Sequence, residues 1–282
     1  MTTRFAQVLI GPAGSGKSTY IYRVAKYFET IKRVVHCVNL DPAADVLLYE
    51  PDIDIRSVIN IKDVMQKMNY GPNGALIYCM EKITGRRSTW FNDAIGEHQY
   101  DYLLIDMPGQ IELYSHMNVL PELMNVLVSK NYNVLIIYMA DAQFTSDAAK
   151  FLSASLVALS TMTMLEMPHI NVLSKCDLLT EEQKRQLDIY IEMECEALAD
   201  EVKHKENIQK LTDSICRVID FFKLVQWRTL DSTKEDELIQ LEAEIDTIIQ
   251  YYDNADFGDP EFQEVIEDDQ MYTNGIPKWM FP

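Results

Sequence analysis

The sequence predicts an α/β fold in which a mostly parallel β-sheet is covered by helices on both faces. Short apolar runs alternate with segments of helical periodicity, which is typical of repeated strand–helix–strand crossovers. The 282 residues are 48% hydrophobic, enough for one large domain with a buried core. We predict six strands in chain order, at residues 6–10, 34–39, 102–106, 134–139, 169–173 and 224–229.

The first predicted strand leads directly into a glycine-rich loop. Residues 11–18 have the sequence Gly-Pro-Ala-Gly-Ser-Gly-Lys-Ser, which matches G-x-x-x-x-G-K-[ST]. Glycines allow successive backbone N–H groups to turn around an anion, where a Cβ would interfere. The motif predicts a P-loop NTPase in which Ser18 also binds Mg²⁺. The predicted phosphate-binding residues are Gly14, Ser15, Gly16, Lys17, Ser18 and Thr19.

The second predicted strand ends in the sequence Asn39-Leu40-Asp41-Pro42. Ligands of a parallel sheet lie beyond the carboxyl ends of its strands, so the Asp41 carboxylate would face the phosphates. It could bind Mg²⁺ or orient water there, but Asp-Pro is also an ordinary turn signal. Both interpretations stay open at this point.

The third predicted strand is followed by Asp106-Met107-Pro108-Gly109-Gln110. An aspartate at the end of an apolar strand, followed by Pro-Gly, is typical of the second phosphate-side element of P-loop enzymes. We predict that Asp106 holds Mg²⁺ through water and that the Gly109 N–H contacts the γ-phosphate. Gln110 lies where GTPases carry the residue that positions the attacking water.

The fifth predicted strand ends in Ser174-Lys175-Cys176-Asp177, which we predict to bind the purine base. An aspartate here can accept hydrogen bonds from the guanine N1–H and 2-amino groups, and adenine lacks that pair of donors. The aliphatic stem of Lys175 would pack over the base. The predicted ligand is therefore GTP or GDP with Mg²⁺.

The last third of the chain divides into three segments. Residues 178–222 are charged and helical and exceed what one crossover needs, so we predict a helical insertion at about 180–222 within a GTPase domain of residues 1–252. Thr233 is predicted to cap a helix whose apolar face carries Leu238, Leu241, Ile245 and Ile248. Residues 253–282 form an acidic tail, with eight acids and no base between 253 and 269, which predicts disorder.

Composition limits the partners and the compartment. A net charge of −19 argues against binding to nucleic acid or to an anionic membrane surface. Five widely spaced cysteines without a C-x-x-C pair indicate reduced thiols, and no signal peptide is visible, so we expect a cytoplasmic or nuclear protein. The apolar stretch 151–165 is too short to span a bilayer and should be buried, in the core or against a second subunit.

The motifs together resemble those of the GPN-loop GTPases. Gly71-Pro72-Asn73 lies between the Asp41 segment and the Asp106 strand, and the order of motifs over residues 4–180 is the family's. The likeness is greatest to the third eukaryotic paralogue group, partly through Gln143-Phe144.

The resemblance implies a dimeric GTPase, a homodimer or a heterodimer with a sister member of the family. In that dimer Asn73 would act on the nucleotide of the other subunit, and Gln110 with Asp41 would position water. It further implies binding to RNA polymerase subunits or assembly factors, a role in RNA polymerase II assembly and nuclear import, and a cytoplasmic protein that shuttles to the nucleus.

Two alternatives stay open from the residues alone. One is a nucleotide-binding scaffold without significant hydrolysis. The other is a P-loop kinase for a small molecule, for which Arg86-Arg87, upstream of the Asp106 strand, is the basic pair considered as a lid.

Overall fold

The fold is a single seven-stranded sheet in which every strand pairing is parallel. It is seen in a computed structural model that describes residues 3–84, 89–97, 101–115, 117–192, 198–199, 206–222, 225–254, 272–273 and 276–277. The strand order is β3-β2-β4-β1-β5-β6-β7. The strands are β1 (Arg4–Ile10), β2 (His36–Asn39), β3 (Ile53–Asp54), β4 (Tyr102–Asp106), β5 (Tyr132–Asp141), β6 (His169–Ser174) and β7 (Trp227–Leu230).

Helices cover both faces of this sheet, as predicted. The helices are α1 (Lys17–Thr30), α2 (Ile61–Met68), α3 (Pro72–Thr84), α4 (Trp90–Glu97), α5 (Glu112–Ser115), α6 (Val119–Ser129), α7 (Ala148–Leu165), α8 (Glu181–Ile191), α9 (Glu206–Phe222), α10 (Glu235–Ile248) and α11 (Tyr251–Asn254). A separate two-stranded hairpin pairs β8 (Tyr272–Thr273) with β9 (Ile276–Pro277).

Each face of the sheet has its own apolar core. Helices α1 and α10 bury Val24, Phe28 and Ile245 against one face. Helices α3, α6 and α7 bury their apolar sides against the other. Alternate side chains of a strand point to opposite faces, which is why the two cores share the same strands. The predicted fold class is confirmed.

Helix α7 contains the longest apolar stretch. Among the described helices it alone passes a length-and-composition test for crossing a membrane, and half of it is buried inside the protein. Its residues Phe151, Leu152 and Leu159 are buried in the core. Core helices of soluble folds pass the same test, and this burial agrees with the expected core position.

Several details differ from the predicted elements: β1 begins two residues earlier than predicted, β2 begins two residues later, and β7 spans Trp227–Leu230 instead of 224–229. Strand β3 was not predicted, because two residues carry no readable periodicity. Strand β5 is longer than predicted at both ends. The prediction that Thr233 caps helix α10 was wrong: Lys234 occupies that position, and the Thr233 hydroxyl instead donates to Asp231 Oδ1 at 2.5 Å.

The region of the predicted insertion contains helices α8 and α9, both between β6 and β7. Cys216 and Ile219 of α9 belong to the core on the α7 face. Most of the acidic tail, 253–282, lies outside the described residues, as do Arg86 and Arg87. The insertion and the tail therefore stay predictions.

Candidate functional site

The loop between β1 and α1 has the backbone geometry that its glycines make possible. Gly11, Gly14 and Gly16 have φ values of +137°, +76° and +89°, which side chains with a Cβ rarely adopt. A Cβ on Gly11 would lie 2.1 Å from the carbonyl oxygen of Met139 in the neighbouring strand β5. Glycine is therefore required where the loop leaves the sheet.

Lys17 begins helix α1 and turns its side chain back into this loop. Its Nζ donates to the carbonyl oxygens of Gly11 and Pro12, both at 3.0 Å. Burial lowers the pKa of Lys17, and the charges of Asp106 and Asp41 oppose that change. A partly desolvated ammonium group at a helix N-terminus is a binding site for an anion.

A cavity of about 330 Å³ lies beside this loop, and the sequence-predicted residues supply most of its lining. The loop, the Asp41 segment and the ends of β4 and β6 all contribute, which matches the rule that ligands lie at the carboxyl ends of parallel strands. The lining residues are Ala13, Gly14, Gly16, Lys17, Ser18, Thr19, Asp41, Asp106, Met107, Gly109 and Lys175.

Asp106 lies at the end of β4 and is only 3% exposed. Its Oδ2 accepts hydrogen bonds from Ser18 Oγ at 2.6 Å and from the Tyr49 hydroxyl at 3.1 Å. Burial raises the pKa of Asp106, while these hydroxyls and Lys17 oppose the rise. Among the described residues no cation forms an ion pair with this carboxylate.

A hard cation fits the Ser18–Asp106 pair. A buried carboxylate beside a hydroxyl offers oxygen donors of the kind that Mg²⁺ prefers, and Mg²⁺ binds with one or two such protein ligands plus phosphate oxygens. Within the described ranges no group of three or more His, Cys, Asp or Glu side chains could hold a metal by itself. The site is therefore suited to a metal that arrives with a nucleotide.

Asp41 faces the same cavity from the segment after β2. Its Oδ1 accepts from the Ala43 N–H at 2.8 Å, and its own N–H donates to Asn39 Oδ1 at 3.1 Å. Burial raises the pKa of Asp41, against the lowering effect of the Ala43 N–H, Lys17 and Arg56. Asp41 therefore combines the predicted turn with a position on the cavity wall.

The segment after β4 packs directly on the glycine-rich loop. A Cβ on Gly109 would lie 2.6 Å from the Cα and 2.7 Å from the N of Ala13. Gly109 lines the cavity as predicted, whereas Gln110 is half-buried and lies outside the lining.

The end of β6 contributes both support and lining. Ser174 is buried, and its Oγ lies 2.6 Å from the Ser15 carbonyl oxygen, to which it donates. It thus fixes the loop from behind rather than lining the cavity. Lys175, at φ +61°, lines the cavity and pairs with Asp141 Oδ2 at 2.8 Å.

Cys176 and Asp177, the two residues after Lys175, differ in solvent exposure. Cys176 is buried, its Sγ donates to the Leu173 carbonyl oxygen at 3.3 Å, and burial raises the pKa of its thiol to about 11. Asp177 is exposed in the short 3₁₀ helix that follows β6. Neither residue belongs to the cavity lining.

Asn73 lies apart from the other predicted catalytic residues. Helix α2 ends at Asn69 in the left-handed conformation, and α3 begins at Pro72, a position that suits proline because the first helical N–H has no partner. Asn73 is exposed on the first turn of α3 and does not line the cavity.

Tyr49 is the residue that sequence reasoning missed. It lies in the segment between β2 and β3, and no motif marks it. It follows the apolar residues Leu47 and Leu48, and nothing in that local sequence reveals that its hydroxyl reaches Asp106.

Comparison with known proteins agrees with this geometry. Residues 9–251 match a family model described as "Conserved hypothetical ATP binding protein". A GPN-loop GTPase 3 of Dictyostelium discoideum is 40% identical, with 91% of each chain covered. The GPN-loop GTPase 3 of Saccharomyces cerevisiae is 38% identical, covering 94% of this chain and 100% of its own.

A solved structure shares the fold over nearly the whole chain. It is a GTPase from Pyrococcus abyssi in the apo form, with 27% identity and a TM-score of 0.72, covering 89% of this chain and 97% of its own. The identities and coverage confirm the predicted family. The chain, with its cavity lined by the P-loop, Asp106 and Lys175, therefore belongs to the GTP-hydrolysing GPN-loop GTPase family, within the GPN-loop GTPase 3 group.

Proposed function

We propose that this GTPase is a Mg²⁺-dependent, dimeric assembly switch. The observation that carries the proposal is the Asp106 carboxylate, buried without a cationic partner among the described residues and 2.6 Å from Ser18 Oγ at the wall of the phosphate cavity. Leaving a buried charge in this state is unfavourable. Such a group is expected where a bound cation completes the site.

Ser18 and Asp106 would hold Mg²⁺, and Lys17 would contact the phosphates beside it. The ion, when bound, supplies positive charge against the β- and γ-phosphate oxygens. The N–H groups of the glycine-rich loop would bind the phosphates. Gly109 would bring the segment after β4 within reach of them. Asp41, which also lines the cavity, is available to orient water.

We propose guanine as the base, although the matching family model is described by ATP binding. Lys175 lines the cavity and its ion pair with Asp141 holds its stem in place. Asp177 follows two residues later, is exposed and is therefore free to accept the N1–H and 2-amino groups of guanine. A site that requires such donors discriminates strongly against a base without them.

We propose that hydrolysis requires a second subunit, a copy of this chain or a sister member of the family. Gln110 lies next to Gly109 and would position water within its own subunit. Asn73 is exposed and outside the cavity lining, so a contact with phosphate comes most directly from a neighbouring subunit. Phosphoryl transfer is accelerated mainly by positioning and charge stabilisation, which a neutral amide donor can supply.

The biological role is proposed from the family resemblance. The GTP-bound and GDP-bound states would control binding to RNA polymerase subunits or assembly factors, and so RNA polymerase II assembly and nuclear import. The net charge of −19 suits a partner with a basic surface and disfavours direct contact with nucleic acid or membrane. The protein would act in the cytoplasm and shuttle to the nucleus.

An intersubunit complementation experiment tests the active site. Asn73→Ala should lower single-turnover GTP hydrolysis by about 10-fold to 1,000-fold with little change in GTP affinity, since losing one stabilising donor has an effect of this size. Lys17→Ala should abolish nucleotide binding. Mixing the two variants should restore activity, because the mixed dimer has one intact site that receives Asn73 from the other subunit.

The matched control is Asn92→Ala, which removes an asparagine amide on helix α4 away from the cavity. If the mixture stays inactive, the same test is repeated with Asn73→Ala and a sister family member. Full activity of Asn73→Ala alone, or no restoration in either mixture, would contradict action between subunits. Equal affinity for ATP and GTP would contradict guanine selection.

A further inference from the structure

Tyr49 connects the segment after β2 to the carboxylate at the end of β4. Its hydroxyl lies 3.1 Å from Asp106 Oδ2, and the side chain is 9% exposed. The ring packs in the core beneath helix α1, and Leu47 of the same segment packs against that core. Because the ring is held by packing, the position of its hydroxyl is well defined.

Asp106 receives both of its side-chain hydrogen bonds on one oxygen. Ser18 Oγ and the Tyr49 hydroxyl donate to Oδ2, and no described residue donates to Oδ1. The Tyr49 hydroxyl is the donor in this contact, because an ionised carboxylate only accepts hydrogen bonds. Two donors on Oδ2 fix the carboxylate plane and leave Oδ1 available to the cavity.

The same segment also carries Asp41 and is held by hydrogen bonds near its start. The Asp41 N–H donates to Asn39 Oδ1 at 3.1 Å, and Arg56 Nη1 donates to the Ala44 carbonyl oxygen at 2.9 Å. Val46, two residues after Ala44, is 85% exposed. The Leu40 N–H of this segment donates to the Asp106 carbonyl oxygen at 2.9 Å, and among the described hydrogen bonds of the segment the one from Tyr49 is the link to the Asp106 carboxylate.

We propose that Tyr49 is a positioning residue, which orients Asp106 for Mg²⁺ and joins the Asp41 segment to the metal site. The inference rests on the proposed function, because it assumes that Asp106 serves Mg²⁺. Tyr49 does not line the cavity and acts only through Asp106. Residues that orient metal ligands in this way commonly change metal affinity by about 10-fold to 100-fold when they are replaced.

The test is a Mg²⁺ titration of protein loaded with a fluorescent GDP analogue, read as the rate of nucleotide release. Tyr49→Phe keeps the packed ring and removes only the hydroxyl. It should raise the Mg²⁺ concentration for half-maximal slowing of release by about 10-fold. Release in excess EDTA should be unchanged, because no metal is then bound.

Tyr22→Phe is the matched control, since Tyr22 lies on helix α1 outside the cavity lining and stacks on Lys26. It should match the wild type in both conditions. A wild-type Mg²⁺ midpoint for Tyr49→Phe would overturn the inference. So would equal acceleration of release with Mg²⁺ and with EDTA, which would indicate a general structural role.

Asp106→Asn separates this inference from the proposed function. If Asp106→Asn shifts the Mg²⁺ midpoint and Tyr49→Phe does not, only the role of Tyr49 fails. If neither substitution shifts it, the assignment of Asp106 to the metal fails, and the role of Tyr49 fails with it.

Discussion

Buried carboxylates occur in two regions of this protein under opposite conditions. Asp106, at the nucleotide cavity, has two hydroxyl donors and no cationic partner among the described residues. Asp246, on the buried side of helix α10, is paired through both oxygens with Arg33 at 2.9 and 2.8 Å. The Arg33 guanidinium also stacks on Tyr251, 4.0 Å from the ring centroid.

The difference distinguishes a structural charge from a functional one. A buried carboxylate with its own arginine is neutralised within the fold, and this pair fixes α10 to the segment between α1 and β2. A buried carboxylate with only hydroxyl donors, on the wall of a cavity, lacks that neutralisation until a cation binds. Burial alone therefore does not mark a site, whereas a buried carboxylate that lies beside a cavity without an ion-pair partner does.

The largest expected effect comes from breaking the structural pair. Arg33→Met should lower the free energy of unfolding by about 3–5 kcal/mol, because it leaves Asp246 buried without its partner. GTP affinity of the folded fraction should be unchanged, since neither residue lines the cavity. Urea denaturation and nucleotide titration measure the two quantities.

Arg228→Met is the control for that substitution. Arg228 of β7 pairs with Glu244, which lies on the same helix as Asp246, but both side chains of this pair are more than one-third exposed. Loss of this pair should cost at most about 1 kcal/mol. Equal losses for the two variants would contradict the distinction between buried and exposed pairs.

A third buried carboxylate, Glu242, extends the comparison, because its protonation makes the free energy of unfolding depend on pH. It lies on the buried side of α10, where the Tyr20 hydroxyl is 2.5 Å from Oε1 and Gln7 Nε2 donates to Oε2 at 2.8 Å. Burial raises the pKa of Glu242 to about 7, with Asp246 also raising it and Tyr20, Gln7 and Arg33 opposing the rise.

The protonated form of Glu242 completes this hydrogen-bond network. Glu242 can then donate to the Tyr20 oxygen, and Tyr20 can donate to Gln7 Oε1 at 3.0 Å. When Glu242 is ionised, the single Tyr20 proton cannot serve both acceptors. The geometry therefore favours the neutral acid independently of the direction of the pKa change.

The consequence is a stability that falls as pH rises. The folded protein binds this proton more tightly than the unfolded chain, so the stabilisation is complete below about pH 4.5 and is lost as pH rises through 7. The loss is at most about 3 kcal/mol. Glu242→Gln should remove this pH dependence, because an amide reproduces the neutral hydrogen bonds.

Urea denaturation from pH 5 to pH 8 checks the prediction, with the difference between variant and wild type as the measured quantity. Glu244→Gln, two residues further along the same helix but partly exposed, is the control. A Glu242→Gln variant whose stability follows the wild-type pH dependence would show that Glu242 is ionised throughout this range.

The parts of the site predicted from sequence are those in which local residues determine local geometry. The glycines, Lys17 and Ser18 act within one loop and the start of one helix, so their spacing is sufficient. Asp106 and Gly109 were recognised because polar residues at the end of an apolar strand meet the ligand edge of a parallel sheet.

The parts that were missed depend on contacts between distant residues. Tyr49 meets Asp106 across 57 positions because β2 pairs with β4, and the strand order is not visible in the sequence. Thr233 failed as a helix cap because Asp231 competes for its hydroxyl, a choice that spacing alone cannot resolve. Ser174 was predicted to bind the base, but its hydroxyl reaches back to Ser15, 159 residues earlier.

The smallest expected effect tests that support for the loop. Ser174→Ala removes a buried hydroxyl that donates to the Ser15 carbonyl oxygen at 2.6 Å, and Ser155→Ala removes one that accepts from Trp227 Nε1 at 3.1 Å. Each should lower the free energy of unfolding by about 1 kcal/mol. Only Ser174→Ala should also weaken GDP binding, by about 5-fold, because only its partner belongs to the phosphate loop. Calorimetric titration of both variants decides this: equal GDP affinities would mean that the loop keeps its shape without Ser174.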